Sequence, residues 1–144
     1  MGSFRIGENM NLSALYKKAE SSNIEIDYFE MKSLIALSIP GAVALNTKSI
    51  GSHTEEKVIL AHELGHHFRN SFYDISSTYE LRERQEMRAD RWAVENLVPL
   101  EELETAITQG HTELYDLAEY FDVTEAFMLN AINTYKVTEK LKIA

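Results

Sequence analysis

Every strand-like segment of this chain lies before Ser52, and from Ser52 onward the apolar residues recur at helical spacing. This segregation constrains the fold most, because strands that do not alternate with helices cannot build an alternating parallel-sheet architecture. Residues 11–21 place Leu12, Leu15, Tyr16 and Ala19 on one helical face, and Ser21-Ser22-Asn23 breaks the pattern. Ile24 to Tyr28 then alternates with period two, while Ser33 to Ile39 and Ala42 to Asn46 are short apolar runs joined by the turn-forming pair Pro40-Gly41. These segments read as a helix followed by a small antiparallel sheet.

Ser52 and Glu55 match the S-x-x-E capping box, in which each side chain satisfies a backbone donor of the first turn, so the spacing predicts a helix to about Phe68. A polar and aromatic loop, Asn70 to Thr78, leads to a second long helix of about Tyr79 to Leu97, which Pro99 ends. Shorter helices are expected near Leu100 to Thr108 and Thr112 to Phe121, and a last one after Thr124, an N-cap residue. The expected class is α+β, a small antiparallel sheet packed on a helix pair with further C-terminal helices.

The 144 residues suit a single domain, 1–144. With no Cys, disulfides, zinc ribbons and thiol nucleophiles are excluded, and any metal must be held by His and carboxylate. No apolar run approaches the roughly 18 residues of a membrane span, and the start has no basic region followed by an apolar stretch, so a cytoplasmic protein is expected. Formal charge is −9, and the surplus lies in residues 71–144, with 15 acidic against 7 basic. From Trp92 through Tyr135 there is no Lys or Arg, which disfavours direct binding of nucleic acid, since each phosphate contact needs a cation.

Within the capped helix, His62, Glu63 and His66 form the pattern H-E-x-x-H. Two histidines four residues apart sit roughly 40° and 6 Å apart around a helix, so both imidazoles reach one metal while Glu63 projects beside them. Zinc suits such a set, and needs a third protein ligand if a position is to stay open for chemistry. Nineteen residues separate His66 from Glu86, which stands on the second long helix, with Asp90 four further on. Glu86 completes a two-His, one-carboxylate set, and Asp90 can accept the far N–H of a ligand histidine. Ala89 and Ala93 on that stripe, with Gly65 on the first helix, let the helices approach closely. His67 points about 100° away from its neighbour and reads as a packing or hydrogen-bonding residue, and His53 and His111 are isolated.

The block Val58 to His66, VILAHELGH, followed by EMRADRWAVENLVP from Glu86, resembles the ImmA/IrrE family of zinc metallopeptidases. The resemblance covers about Ile24 to Tyr135, with a zincin-like core at about 24–99 and a helical part at about 100–144. It implies zinc held by His62, His66 and Glu86, Glu63 as catalytic base, and peptide-bond hydrolysis. Asp90 is carried over from the wider gluzincin pattern, Glu followed four residues later by Asp. As partner, the resemblance implies a helix-turn-helix repressor of a phage or mobile element.

Two other readings stay open: a non-proteolytic anti-repressor module with a structural zinc, and a DNA-binding regulator acting through the C-terminal helices. Asp116 to Asn133 has helix-turn-helix spacing, but its second helix offers Glu125, Asn130 and Asn133 and no cation before Lys136, so two helices completing the core is the simpler reading. Ala42 to Asn46 is either the sheet edge that receives an extended substrate or an ordinary core strand. Tyr73, Tyr79, His67 and His111 are unranked candidates for a donor to the tetrahedral oxyanion.

Overall fold

Four of the six helices among the described residues start where a side-chain oxygen accepts from an orphan donor of the first turn. The computed structural model describes residues 10–30 and 33–138; residues 1–9, 31–32 and 139–144 of the expected single domain lie outside the described residues. Helix α1 (Leu12–Ser21) is capped by the Asn11 side chain, which accepts from the Ala14 amide at 2.8 Å. In α2 (His53–Phe68), Ser52 accepts from the Glu55 amide at 3.1 Å, and Glu55 reaches back to the Gly51 amide at 2.8 Å, one residue before the expected partner of a capping box. Thr78 caps α3 (Tyr79–Leu97) through the Leu81 amide at 3.1 Å. Helices α4 (Leu100–Thr108) and α5 (Leu114–Phe121) follow, and Thr124 caps α6 (Glu125–Thr138) through the Phe127 amide at 3.1 Å.

The strands β1 (Glu25–Phe29), β2 (Ala36–Ile39) and β3 (Ala42–Asn46) form one sheet in the order β1-β3-β2. The expected antiparallel pairing holds for β2 and β3, whose turn places Gly41 at φ +90°, a left-handed conformation that glycine adopts without a steric penalty. The pairing of β1 with β3 is parallel, so the sheet is mixed. The reason is order: β3 carries the fully buried Val43 and Leu45, takes the centre of the sheet, and runs back from the hairpin in the direction of β1. Ala42–Asn46 is therefore the central strand with both edges paired, and the edge reading of this segment is corrected. Among the described residues the open edges belong to β1 and β2. Asn46, wholly buried at the end of β3, donates to the Leu34 carbonyl at 2.5 Å and accepts from the Lys48 amide at 3.1 Å, fastening the approach to β2.

Leu15 and Ala19 of α1, Val43 and Leu45 of β3, and Leu60 and Leu64 of α2 meet in one core with Trp92, Val94 and Leu97 of α3. Trp92 stacks on Phe68 with ring centroids 5.1 Å apart. The C-terminal helices close this core: Leu117, Phe121, Val123, Phe127 and Met128 are buried and Ile132 packs against them, the arrangement expected of two core-completing helices. The Tyr135 hydroxyl donates to the Val98 carbonyl at 2.7 Å, tying α6 to the end of α3. Lys57 is buried on α2, its pKa pushed down by burial, and its ammonium donates to the Phe121 carbonyl at 2.9 Å. Thr54 donates to Asp122 at 2.6 Å, so two turns of α2 hold the left-handed junction between α5 and α6. Among the described residues no helix is long and apolar enough to cross a membrane.

The backbones of α2 and α3 approach closely at Gly65. A β-carbon built on Gly65 would lie 2.3 Å from the Ala89 carbonyl oxygen and 2.9 Å from its Cα. Both are far inside van der Waals contact, and the obstacle is backbone, which cannot rotate away. Gly65→Ala should therefore destabilise the protein by about 3 kcal/mol, the upper range of overpacking, and lower the melting temperature by about 10 °C. Thermal unfolding followed by circular dichroism checks this, and an unchanged midpoint would show that the helix pair tolerates a wider spacing.

Candidate metal centre

The close contact at Gly65 lies beside His66 on α2 and faces Ala89, which stands between Glu86 and Asp90 on α3. Three side chains converge there. His62 and His66, one turn apart, have ring centroids 5.0 Å apart and nearly perpendicular planes. Glu86 faces both, with Oε1 2.7 Å from His62 Nε2 and Oε2 3.5 Å from His66 Nε2. One donor atom from each residue falls within 4.8 Å of the others, so the group can hold a metal ion. The donor set, two imidazole nitrogens and one carboxylate, fits zinc, which favours N and O ligands in small number.

Both rings are oriented from behind. The buried His66 directs Nδ1 at the Ser71 carbonyl, 2.6 Å away; because a carbonyl only accepts, Nδ1 carries a proton there, and Nε2 is turned toward Glu86. His62 presents Nδ1 to Asp90 Oδ1 at 3.8 Å, and Asp90 Oδ2 accepts from the Asn130 side chain of α6 at 2.5 Å. Burial disfavours the His62 imidazolium, but the carboxylates of Asp90 and Glu86, with Glu63 near by, outweigh it and raise the pKa to about 10. Its hydrogen bond to His62, then that to His66, holds the Glu86 carboxyl well below the usual carboxylate range. The positive charge on His62 is thus favoured by the carboxylates around it.

Glu63 points into a cleft of about 180 Å³ lined also by Leu37, Ser38, Phe72 and Tyr73. Ser38, on the edge strand β2, donates to Glu63 Oε1 at 2.6 Å. On the other wall the Tyr73 hydroxyl donates to Glu86 Oε2, and this bond, followed by burial, pushes the phenol up to about 12. Tyr73 is alone among the four oxyanion candidates in lining the cleft. Tyr79 is exposed, His67 bonds the Ile39 carbonyl at 2.8 Å, and His111 is paired with Asp116 at 2.8 Å. His53 opens α2 on the surface.

Sequence reasoning brought His62, Glu63, His66, Glu86 and Asp90 to one place, and the structure does the same. It missed three supports. Ser71 acts through its carbonyl, which no side-chain motif can reveal. Ser38 is the single polar residue in the run from Leu34 to Ile39, a signal that was present. Asn130 belongs to a distant helix and has meaning only once α6 has packed beside α3.

The sequence matches the family model described as Peptidase_M78, IrrE N-terminal-like domain, over residues 8–133. The match spans well over half of the chain, and the chain belongs to this family. No curated protein matches it.

Glu86→Ala should weaken divalent-metal binding far more than Glu83→Ala, and Asp90→Asn should weaken it by about 10 to 100-fold. Because the His62 pKa is raised to about 10, the metal-free protein carries that proton at neutral pH and coordination must expel it. Calorimetry of zinc binding in buffers of different ionisation enthalpy should show release of about one proton per ion, with affinity falling as pH falls. Equal affinities in the two glutamate variants, or no proton release, would contradict the geometry.

Proposed function

Proceeding from membership of this peptidase family, we propose that the chain is a zinc-dependent endopeptidase whose substrate is a helix-turn-helix repressor of a phage or mobile element. The observation that carries the reading is the convergence of His62, His66 and Glu86 beside a glutamate that faces a cleft under an unpaired strand edge. His62, His66 and Glu86 hold the ion. When bound, zinc supplies a Lewis acid that polarises the scissile carbonyl and acidifies water.

Glu63 takes the proton of the attacking water and delivers it to the departing amine. Ser38 donates to one Glu63 oxygen, which positions the carboxylate and leaves the other oxygen to accept. Tyr73 stays protonated at neutral pH, because its pKa is pushed up to about 12, and its single O–H turns from Glu86 to donate to the negative oxygen that develops on the substrate. The substrate lies extended along β2, whose free backbone groups add a strand to the sheet. Leu37, which lines the cleft, supplies an apolar contact for a side chain.

Support for the choice of substrate is electrostatic. A formal charge of −9 attracts a basic DNA-binding protein and repels the duplex it binds. A repressor as substrate also places the activity in the cytoplasm.

Incubation with the repressor encoded beside this gene, followed by mass spectrometry of new termini, should show cutting at one or a few positions that a chelator stops. Glu63→Gln should retain zinc while cleavage falls by about 10² to 10⁴-fold. Tyr73→Phe should lower kcat by about 10²-fold with little change in KM. A repressor that binds with zinc present and stays intact would favour the non-proteolytic anti-repressor, and undiminished cleavage by Glu63→Gln would remove Glu63 as the base.

A further inference from the structure

Four of the six arginines in the sequence, Arg69, Arg84, Arg88 and Arg91, line one groove of about 530 Å³ between α3 and α6. In a chain of formal charge −9 this is a local reversal of sign. Arg84, Arg88 and Arg91 recur at i, i+4 and i+7, one face of α3. Their engagement differs. Arg69 and Arg91 both pair with Glu95 at 2.9 Å, whereas Arg84 and Arg88 are exposed and neither has an ion pair among the described residues. Arg88 makes only a long 3.4 Å bond to the neutral amide of Gln85.

Among these polar residues the lining holds two aliphatic side chains, Met87 of α3 and Val137 of α6. Met87 and Val137 are 69% and 82% exposed, a large unpaired area for side chains of that size. The groove thus presents two free guanidinium forks above an aliphatic strip. We propose that it docks an acidic segment of a partner protein that carries aliphatic side chains along one edge. Arginine forks bind carboxylates with two parallel hydrogen bonds, and Met87 and Val137 receive the aliphatic edge.

A nucleic acid fits less well. A duplex brings a long polyanion against a protein of the same sign, gains two free cations, and leaves Met87 and Val137 without an apolar partner. A short acidic segment brings few charges and covers the strip. The groove also lies behind the metal centre, because Asp90, which faces His62, lines it together with Asn130. A segment seated there is held at a distance from the cleft over Glu63, as a recruiting site requires.

The test needs no cleavage and so stands apart from the peptidase reading. Zinc-loaded full chain is titrated against a fluorescent peptide of about four helical turns with Leu at i and i+4 and Glu beside them, against its lysine counterpart, and against labelled duplex DNA. Only the acidic peptide should bind saturably. Arg84→Glu with Arg88→Glu should weaken it by at least about tenfold, as should Met87→Asp, while Lys48→Glu, the same kind of charge change on a remote loop, should not. Circular dichroism and zinc content establish that each variant is folded. No saturable binding of the acidic peptide up to about millimolar concentration, equal loss in Lys48→Glu, or a preference for the lysine peptide or for salt-sensitive DNA binding would overturn the proposal.

Discussion

A carbonyl oxygen occupies the place where Gly65 would carry a side chain, and the spacing of α2 and α3 that results determines what can be built across them. Glutamate is a short side chain, and a carboxylate on α3 can share donors with two imidazoles on α2 only if the backbones nearly touch. Had the helices packed at the ordinary distance of about 8–10 Å set by larger residues, Glu86 would meet a solvent-filled gap. One missing methyl group therefore decides whether the centre exists. It also explains why the apolar stripe of α3 is made of Ala89 and Ala93 at this contact and turns bulky only at Trp92 and Leu97, where the core is deeper.

Around the centre, each polar group is held by a different part of the fold. The loop after α2 supplies the Ser71 carbonyl to His66, α6 supplies Asn130 to Asp90, and the edge strand supplies Ser38 to Glu63. Such groups are costly to bury unless satisfied, and here their partners come from segments far apart in sequence. The C-terminal helices thus contribute to the electrostatics of the centre as well as to the core. His62 stands between the carboxylates of Glu86 and Asp90, and the Tyr73 hydroxyl donates to Glu86.

Helix positions and the metal-binding set were legible because both are local or periodic. A cap, a spacing of four and a stretch that ends at Pro99 define α2 and α3 to within a residue of the observed bounds. Sheet order was not legible, since it depends on which strand is buried on its inner face, and that is settled by contact with α2. Charge read along the chain does not say how it is arranged in space. No cation stands between Trp92 and Tyr135, and this is true of the sequence, yet α6 lies beside a row of arginines contributed by α3. Poverty along the chain did not mean poverty in space. Ser71 and Asn130 were invisible for related reasons, one acting through its backbone and the other across 40 residues.

The strand β2 has one more consequence. Its outer edge is unpaired, and Ile35, Leu37 and Ile39, each about half exposed, alternate along its approach and length with no charged residue among them. Native sheets usually guard such an edge with lysine, proline or a bulge, and here the guard within the strand is missing. What keeps two copies from pairing edge to edge is their common negative charge, a diffuse repulsion that vanishes near the isoelectric point of about 5.0. The same opening that admits a strand to the cleft makes the protein prone to self-association in mildly acidic solution, and acidity and salt act in the same direction, one by removing the charge and the other by screening it.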